Sequence, residues 1–239
     1  MTTRIAMWSG PRNLSTAMMR SWENRPDTEV LDEPLYATYL AQTGLDHPVT
    51  EEIILSGHAD PDAAIAACLA APSVSAISYQ KHMAHHLLAS MDRSWIGEFR
   101  NVLLLRHPHS VLASYTKVRE SVTLEDIGIP QQLELLDRCE LVVDSADFLV
   151  DPAAYQREIC QRLDVPIDED LAEAMLSWPA GRRASDGVWA SEWYSAVEAS
   201  TGFGSGPTEE PPPVADHLVG MAADAMEIYE DLRQRRFTL

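Results

Sequence analysis

Short apolar runs alternate with amphipathic stretches along this chain, and the two patterns predict different elements. The run Val-Leu-Leu-Leu at residues 102–105 is too short for a core helix and is typical of a strand buried on both faces. Longer stretches repeat apolar residues at helical spacing. Strands are predicted at residues 4–8, 29–32, 75–79, 101–105 and 140–144, and helices at residues 14–24, 60–71, 107–119, 131–139, 152–163, 168–176 and 214–235.

Alternating strands and helices predict an α/β fold of three layers, in which a central parallel sheet of about five strands has helices on both faces. We expect one domain over residues 1–239, with a flexible Gly/Pro-rich segment at residues 202–213. Ligands of such folds bind at the carboxyl ends of the strands. The loops that follow the strands are therefore the places to search for chemistry.

The loop between the first strand and the first helix has the composition of a phosphate-binding turn. Residues 9–16 read Ser-Gly-Pro-Arg-Asn-Leu-Ser-Thr. Free N–H groups at a helix start attract anions, and Arg12, Ser15 and Thr16 add a cation and two hydroxyl groups. A Walker A loop would have Lys before its hydroxyl residue, whereas an Arg with hydroxyls can hold an anion without a metal. A plain turn that caps the helix is the alternative interpretation.

A second polar group follows the fourth predicted strand. Arg106 stands at the end of the strand, Pro108 suits the first turn of a helix, and Ser114 lies about two turns further on. A cation and a hydroxyl in this arrangement can hold one phosphate from two sides. Nucleotide hydrolases with a P-loop usually carry an acidic residue here to organise Mg²⁺.

With these two motifs the chain resembles the P-loop sulfotransferase family, and the Gly-Arg-Arg-Ala-Ser-Asp-Gly-Val-Trp segment at residues 181–189 is similar to the family's late basic loop. The resemblance implies 3′-phosphoadenylyl sulfate (PAPS) as co-substrate, a P-loop-type fold, no metal requirement and a small-molecule acceptor with a hydroxyl or amine. The donor-binding residues that it implies are Ser9, Gly10, Pro11, Arg12, Asn13, Leu14, Ser15, Thr16, Arg106, Ser114, Arg182, Arg183 and Trp189.

Sulfuryl transfer needs a base for the acceptor's proton and cations for the leaving phosphate. Two further predicted strand ends supply such groups, since Glu33 follows the second strand and Lys81 and His82 follow the third. We expect His82 to be the base, with Glu33 as the rival, and Lys81 or Arg12 to stabilise charge. A metal site formed by His82 and the nearby histidines is disfavoured, because no Glu completes a zincin motif.

Composition narrows the classes of partner. The formal net charge of -19 argues against nucleic acid and anionic membranes as partners. Three widely spaced cysteines suggest a reducing compartment, and no apolar run reaches the length of a membrane span, so a cytoplasmic enzyme is expected. The sequence leaves the acceptor and the oligomeric state open, a homodimer being one option. The alternatives are an ATP- or GTP-dependent kinase with an atypical P-loop and a non-catalytic nucleotide-binding module.

Overall fold

A five-stranded parallel sheet forms the centre of the computed structural model, which describes residues 2–70, 75–117, 121–204, 206 and 211–239. The strand order is β2-β3-β1-β4-β5, and every neighbouring pair is parallel. This arrangement confirms the predicted sheet. The strands are β1 Thr3–Ser9, β2 Thr28–Asp32, β3 Ile77–Met83, β4 Arg100–Leu105 and β5 Leu141–Asp144.

Helices connect these strands and cover both faces of the sheet. Four of them, which begin at Pro61, Ser145, Pro152 and Glu169, follow an Asp whose side chain accepts a hydrogen bond from a backbone N–H of the first turn. The α-helices are α1 Ser15–Glu23, α2 Tyr36–Thr43, α3 Thr50–Ser56, α4 Pro61–Leu69, α5 Pro108–Tyr115, α6 Ile129–Leu135, α7 Ser145–Phe148, α8 Pro152–Arg162, α9 Glu169–Ala174, α10 Ala190–Trp193, α11 Ser195–Glu198 and α12 Val219–Arg233.

The core is divided in two by the sheet, because successive side chains of a strand point to opposite faces. On β1, Ala6 and Trp8 belong to one apolar cluster, which α12 covers, while Ile5 and Met7 belong to the other, which α1 and α8 cover. The same alternation holds along β4. The prediction of a three-layer α/β fold is thereby confirmed.

The third strand differs from its prediction, which placed it at residues 75–79. It runs instead over Ile77–Met83, so Lys81 and His82 are part of the strand and do not follow it. Polar residues at positions 80–82 hid this extension in the sequence. All seven residues of β3 are buried, so tertiary partners rather than local apolar character hold this end of the strand.

Several helices had no prediction, namely α2, α3, α7, α10 and α11. All five have eight residues or fewer and depend on packing against the rest of the chain. Of these, α2, α3 and α10 meet in a separate apolar cluster that contains Tyr36, Trp189 and Tyr194. Residue 71 and residues 118–119, at the ends of two predicted helices, lie outside the described residues, as do residues 205 and 207–210 of the predicted flexible segment.

The carboxyl ends of β1 to β4 meet at one edge of the sheet, as parallel strands require. This edge therefore brings together Gly10, Glu33, Met83 and Arg106 from four separate loops or strand ends. Within the described part of the chain, no helix is both long and apolar enough to cross a membrane.

Candidate functional site

A cavity of about 430 Å³ opens at this edge of the sheet. The loop before α1 lines one part of it, β3 and the residues after β2 line its floor, and the segment of residues 193–204 lines the opposite side. Among the residues that line it, the polar and aromatic ones are Arg12, Asn13, Ser15, Thr16, Glu33, Tyr36, His47, Lys81, His85, His86, Arg106, Ser114, Tyr115, Trp193, Tyr194 and Ser200.

The loop before α1 is held in one conformation by close backbone packing. A Cβ atom on Gly10 would lie 2.4 Å from the carbonyl oxygen of Ile127, so only glycine fits there. Asn13 donates to the carbonyl of Leu104 at 2.8 Å and accepts from the N–H of Leu14 at 2.7 Å. No side chain caps the first turn of α1 and no acidic residue lies in it, so this helix start favours an anion.

Two guanidinium groups converge beside that helix start. Arg12 Nε donates to Ser114 Oγ at 2.9 Å, and Arg106 Nη1 donates to the backbone carbonyl of Arg12. Neither arginine forms an ion pair with a carboxylate among the described residues. Burial and the charge of Arg12 lower the pKa of Arg106. The cluster of Arg12, Arg106 and Ser114, which we call the anion cradle, therefore has positive charge in need of an anion.

A buried network of two carboxylates and one ammonium lies next to the cradle. Lys81 Nζ donates to Asp32 Oδ1 at 3.0 Å, to Glu33 Oε1, and to Tyr194 Oη at 2.6 Å. The Tyr194 hydroxyl also lies 2.8 Å from Asp32 Oδ2 and 3.2 Å from Glu33 Oε1. The side chains of all three charged residues are at most 9% exposed.

Burial and neighbouring charges shift the pKa values in this network. Burial, reinforced by the Asp32 charge and opposed by Lys81, raises the pKa of Glu33 above its usual value. Burial disfavours the Lys81 ammonium, but Asp32 and Glu33 outweigh it and raise the pKa of Lys81. Lys81 therefore stays charged, and Glu33 is a stronger base than an ordinary glutamate.

Imidazole and aromatic rings line the cavity beyond Glu33. His86 Nδ1 lies 3.9 Å from Glu33 Oε2, and its ring stacks on Tyr36 with centroids 4.4 Å apart. Tyr36 Oη forms a 2.8 Å hydrogen bond with His47 Nδ1. Burial lowers the pKa of His86 well below its usual value, and burial and His47 lower that of His85 to about 3. The rings of His85 and His86 are therefore neutral at physiological pH.

His82 does not join this site, which corrects the expectation that Lys81 and His82 reach it together. Neighbouring residues of a strand face opposite sides of the sheet, and the register aligns Lys81 with Met7 and His82 with Trp8. His82 stacks on Trp8 at 4.4 Å between ring centroids, is 1% exposed and does not line the cavity. Burial, with a contribution from Lys81, lowers its pKa to about 3.

The late basic segment is also placed away from the cavity. Arg182 is exposed and donates to the carbonyl of Gly187, whereas Arg183 donates to Asn24 and pairs with Glu23, at the opposite end of α1 from the cradle. The sequence-based expectation that these arginines reach the donor site therefore does not fit their positions in this structure. Trp189 lies behind the cavity wall and donates its Nε1 proton to Tyr194 Oη at 3.0 Å.

The other predicted donor residues separate into two groups. Pro11, Leu14, Ser15 and Thr16 line the cavity, whereas Gly10 does not line it and packs against Ile127. The last residue of β1, Ser9, is fully buried beneath the loop. Within the described residues, no three His, Cys, Asp or Glu side chains come together in a metal-binding group.

Sequence reasoning missed Tyr194, Tyr36 and Trp193, which all line the cavity. Tyr194 is separated from Asp32 by 162 positions, so no local pattern relates them. The only available signal was the closeness of Tyr194 to the Trp189 motif, which singled out the segment but not the tyrosine.

Comparisons with known proteins agree with the fold. Residues 3–236 match the family described as "Sulfotransferase domain". A sulfotransferase domain from a Synechococcus olefin synthase is similar in structure, with a TM-score of 0.50, 18% identity, and coverage of 100% of this chain and 96% of that one. A sulfotransferase from Alicyclobacillus acidocaldarius has a TM-score of 0.50, 13% identity, and coverage of 97% and 96%.

A curated relative from Arabidopsis thaliana carries a different kind of name, "Branched-chain-amino-acid aminotransferase-like protein 2". It is 32% identical over 207 residues, which are 84% of this chain and 36% of the relative. This chain thus spans about a third of the relative's length. The family match extends over nearly all of the chain, from the first strand past the last helix. The protein therefore belongs to the sulfotransferase domain family.

Proposed function

We propose that this protein transfers a sulfuryl group from PAPS to a hydroxyl or amine of a small-molecule acceptor. The observation that carries the proposal is the anion cradle, where Arg12 donates to Ser114 and Arg106 donates to the Arg12 carbonyl, and neither arginine has a carboxylate partner among the described residues. In a chain of net charge -19, two neighbouring cations without counter-ions at a helix start are costly unless an anionic ligand binds there.

The cradle and the adjoining loop are proposed to bind two different phosphate groups of the donor. Arg106 and Ser114 are the proposed ligands of its 3′-phosphate, in agreement with the motif that the sequence resembles. The N–H groups at the start of α1, with Ser15 and Thr16, are proposed to hold the 5′-phosphosulfate. Arg12 lies between the two and is proposed to balance the charge that develops on the leaving phosphate.

Glu33 is the proposed base, because it lines the cavity and His82 does not. The Glu33 carboxylate takes the acceptor's proton as the new bond to sulfur forms and the bond to the donor's phosphate oxygen breaks. Lys81 directs its ammonium to Asp32, Glu33 and Tyr194, so its proposed role is to hold Glu33 rather than to contact the donor.

The acceptor is proposed to bind at the end of the cavity that Tyr36, His47 and His86 line. His86 Nδ1 lies 3.9 Å from Glu33 Oε2, so an acceptor bound at this end would lie beside the proposed base. The neutral His86 imidazole and the aromatic rings suit a compact organic molecule.

Calorimetric titration with 3′,5′-adenosine bisphosphate tests the donor site, since this molecule is the donor without its sulfuryl group. We expect Arg106→Ala to weaken binding by about 2–4 kcal/mol, because a charge-assisted pair is lost in a partly buried site. The matched control is Arg100→Ala, at the other end of the same strand, where the exposed guanidinium pairs with Glu140 and Asp164. This control should bind as the wild type does.

ADP, which lacks the 3′-phosphate, provides the comparison ligand. Much weaker binding of ADP than of the bisphosphate is expected for a PAPS site. Equal or tighter binding of ADP, above all if it required Mg²⁺, would contradict the proposal and favour a kinase.

A further inference from the structure

The two carboxylates of the buried network receive very unequal numbers of hydrogen bonds. Lys81 Nζ has three N–H hydrogens, and it donates one hydrogen bond to each of Asp32, Glu33 and Tyr194. The Tyr194 hydroxyl has one hydrogen to donate. Its oxygen lies 2.8 Å from Asp32 Oδ2 and 3.2 Å from Glu33 Oε1, so Asp32 is the nearer acceptor. The N–H of Gly187 adds a further bond to Asp32 Oδ2 at 3.2 Å.

Asp32 is therefore the acceptor of three donors, from Lys81, Tyr194 and Gly187, whereas Glu33 has one assured donor in Lys81. The second oxygen of Glu33 lies 3.9 Å from His86 Nδ1, which is beyond hydrogen-bond distance. A carboxylate that accepts several hydrogen bonds stays ionised, and one with few takes up a proton more readily.

We propose that Asp32 is a positioning residue whose carboxylate, held by three donors beside Glu33, makes Glu33, and not itself, the group that accepts the acceptor's proton. Asp32 does not line the cavity, so it acts through Glu33 and does not touch the substrates. The inference rests on the proposed function for the role of Glu33 in catalysis, but the coupling between the two carboxylates is a property of the protein alone.

The titratable groups that face Glu33 come from several elements of the fold. They are Lys81 on β3, Asp32 at the end of β2, Tyr194 after α10, and the neutral His86 in the turn after β3. Of these, Lys81 stabilises the Glu33 carboxylate and Asp32 destabilises it. Removing the Asp32 charge must therefore make Glu33 a weaker base.

The donors to Asp32 also tie residues 181–194, which we call the late segment, to this site. Gly187 and Tyr194 both belong to the late segment, and Trp189 donates to the same tyrosine oxygen. With the Trp189 and Lys81 protons directed at its oxygen, Tyr194 keeps its own proton for a carboxylate. The segment thus supplies Asp32 with two donors from more than 150 residues away.

The titration of Glu33 itself tests the proposal and needs no acceptor. Carbon-13 NMR of protein with labelled glutamate follows the carboxyl signal of Glu33, which Glu33→Gln identifies by its disappearance. We expect the wild-type signal to titrate above the usual glutamate range, and Asp32→Asn to lower its midpoint by about 1 pH unit or more. Asp32→Ser removes the same charge and replaces Asp32→Asn if that variant does not fold.

The matched control is Asp144→Asn. Asp144 also stands at the end of a strand, where it accepts from the hydroxyl of Tyr229 and pairs with Arg233 at 3.3 Å, but it lies outside the cavity. Its replacement should leave the Glu33 midpoint unchanged. A midpoint that Asp32→Asn does not lower, or that Asp144→Asn lowers equally, would overturn the proposal.

Binding of 3′,5′-adenosine bisphosphate to the same variants separates this inference from the proposed function. We expect Asp32→Asn to bind it with wild-type affinity. Failure of the wild type to bind would refute the donor assignment and leave the carboxylate coupling to be decided by the titration. Normal binding with no shift in the titration would refute the coupling alone.

Discussion

At the scale of single residues, backbone strain is concentrated at the proposed site. Arg12 has φ 57° and Glu33 has φ 41°, in a region that side chains larger than hydrogen rarely adopt. They are two of the four such non-glycine residues in the described chain, and both line the cavity. Strain of this kind persists where surrounding contacts enforce it, and it aims the cation of the cradle and the proposed base into the same space.

Glu33→Gln tests the proposed base directly. We expect turnover to fall by about 100-fold to 10,000-fold, because the acceptor's proton has no other recipient, while affinity for 3′,5′-adenosine bisphosphate is kept. The assay is transfer of labelled sulfate from PAPS to a panel of small alcohols, phenols and amines. Since a base must be ionised, wild-type turnover should be lost as the pH falls through the raised pKa of Glu33.

His82→Gln is the companion variant, with its melting temperature measured to confirm folding. It should retain turnover, because His82 is buried on the other face of the sheet. Loss of turnover in a folded His82→Gln variant, with Glu33→Gln still active, would restore the histidine as the base.

At the scale of elements, the loop before α1 depends on its contact with the segment before α6. Gly10 packs against the carbonyl of Ile127, and Asn13 fastens the loop to the end of β4. These contacts fix where the free N–H groups of α1 point. The proposed donor site therefore depends on the junction of a strand, a loop and a helix rather than on any one side chain.

Gly10→Ala should move this loop. A Cβ atom 2.4 Å from a backbone oxygen forces a displacement, for which we expect a loss of about 1–3 kcal/mol in the free energy of unfolding and weaker binding of 3′,5′-adenosine bisphosphate. Denaturant unfolding and calorimetry measure the two effects. Gly97→Ala is the control, because nothing lies within 4 Å of its added Cβ. Equal effects of the two replacements would contradict the role given to the Gly10 contact.

At the scale of the whole molecule, the late segment returns to the first helix and thereby completes the cavity. Arg20 of α1 donates to Asp186 Oδ2 at 2.6 Å, and both side chains are at most 1% exposed. The N–H of Arg183 adds a bond to the same oxygen at 2.7 Å. This buried ion pair anchors the segment one residue before Gly187, the donor to Asp32.

Asp186→Ala should destabilise the protein by about 3–5 kcal/mol, because it leaves the Arg20 charge buried without its main partner. Thermal unfolding measures the loss. Glu158→Ala is the comparison, since it breaks an exposed pair with Arg162 and should change stability little. A melting temperature that falls no further for Asp186→Ala than for Glu158→Ala would show that the segment is anchored by other contacts.

Local pattern was sufficient to predict the sheet and to group Arg12, Arg106 and Ser114 as one candidate site. Buried parallel strands leave short apolar runs, and a loop between such a run and a helix is confined to the ligand-binding edge. Arg12, Ser15, Arg106 and Ser114 could therefore be assigned to one site before any distance was known, and they line one cavity.

Which of the remaining polar groups line that cavity depended on contacts between distant segments. Because β3 extends to Met83, Lys81 and His82 are neighbours within a strand. Their side chains therefore point to opposite faces of the sheet, and His82 faces away from the cavity. Contacts with Glu23 and Asn24 drew Arg183 to the far end of α1. Tyr194 reached Asp32 across 162 positions. These placements follow from packing between distant segments, which local periodicity does not encode.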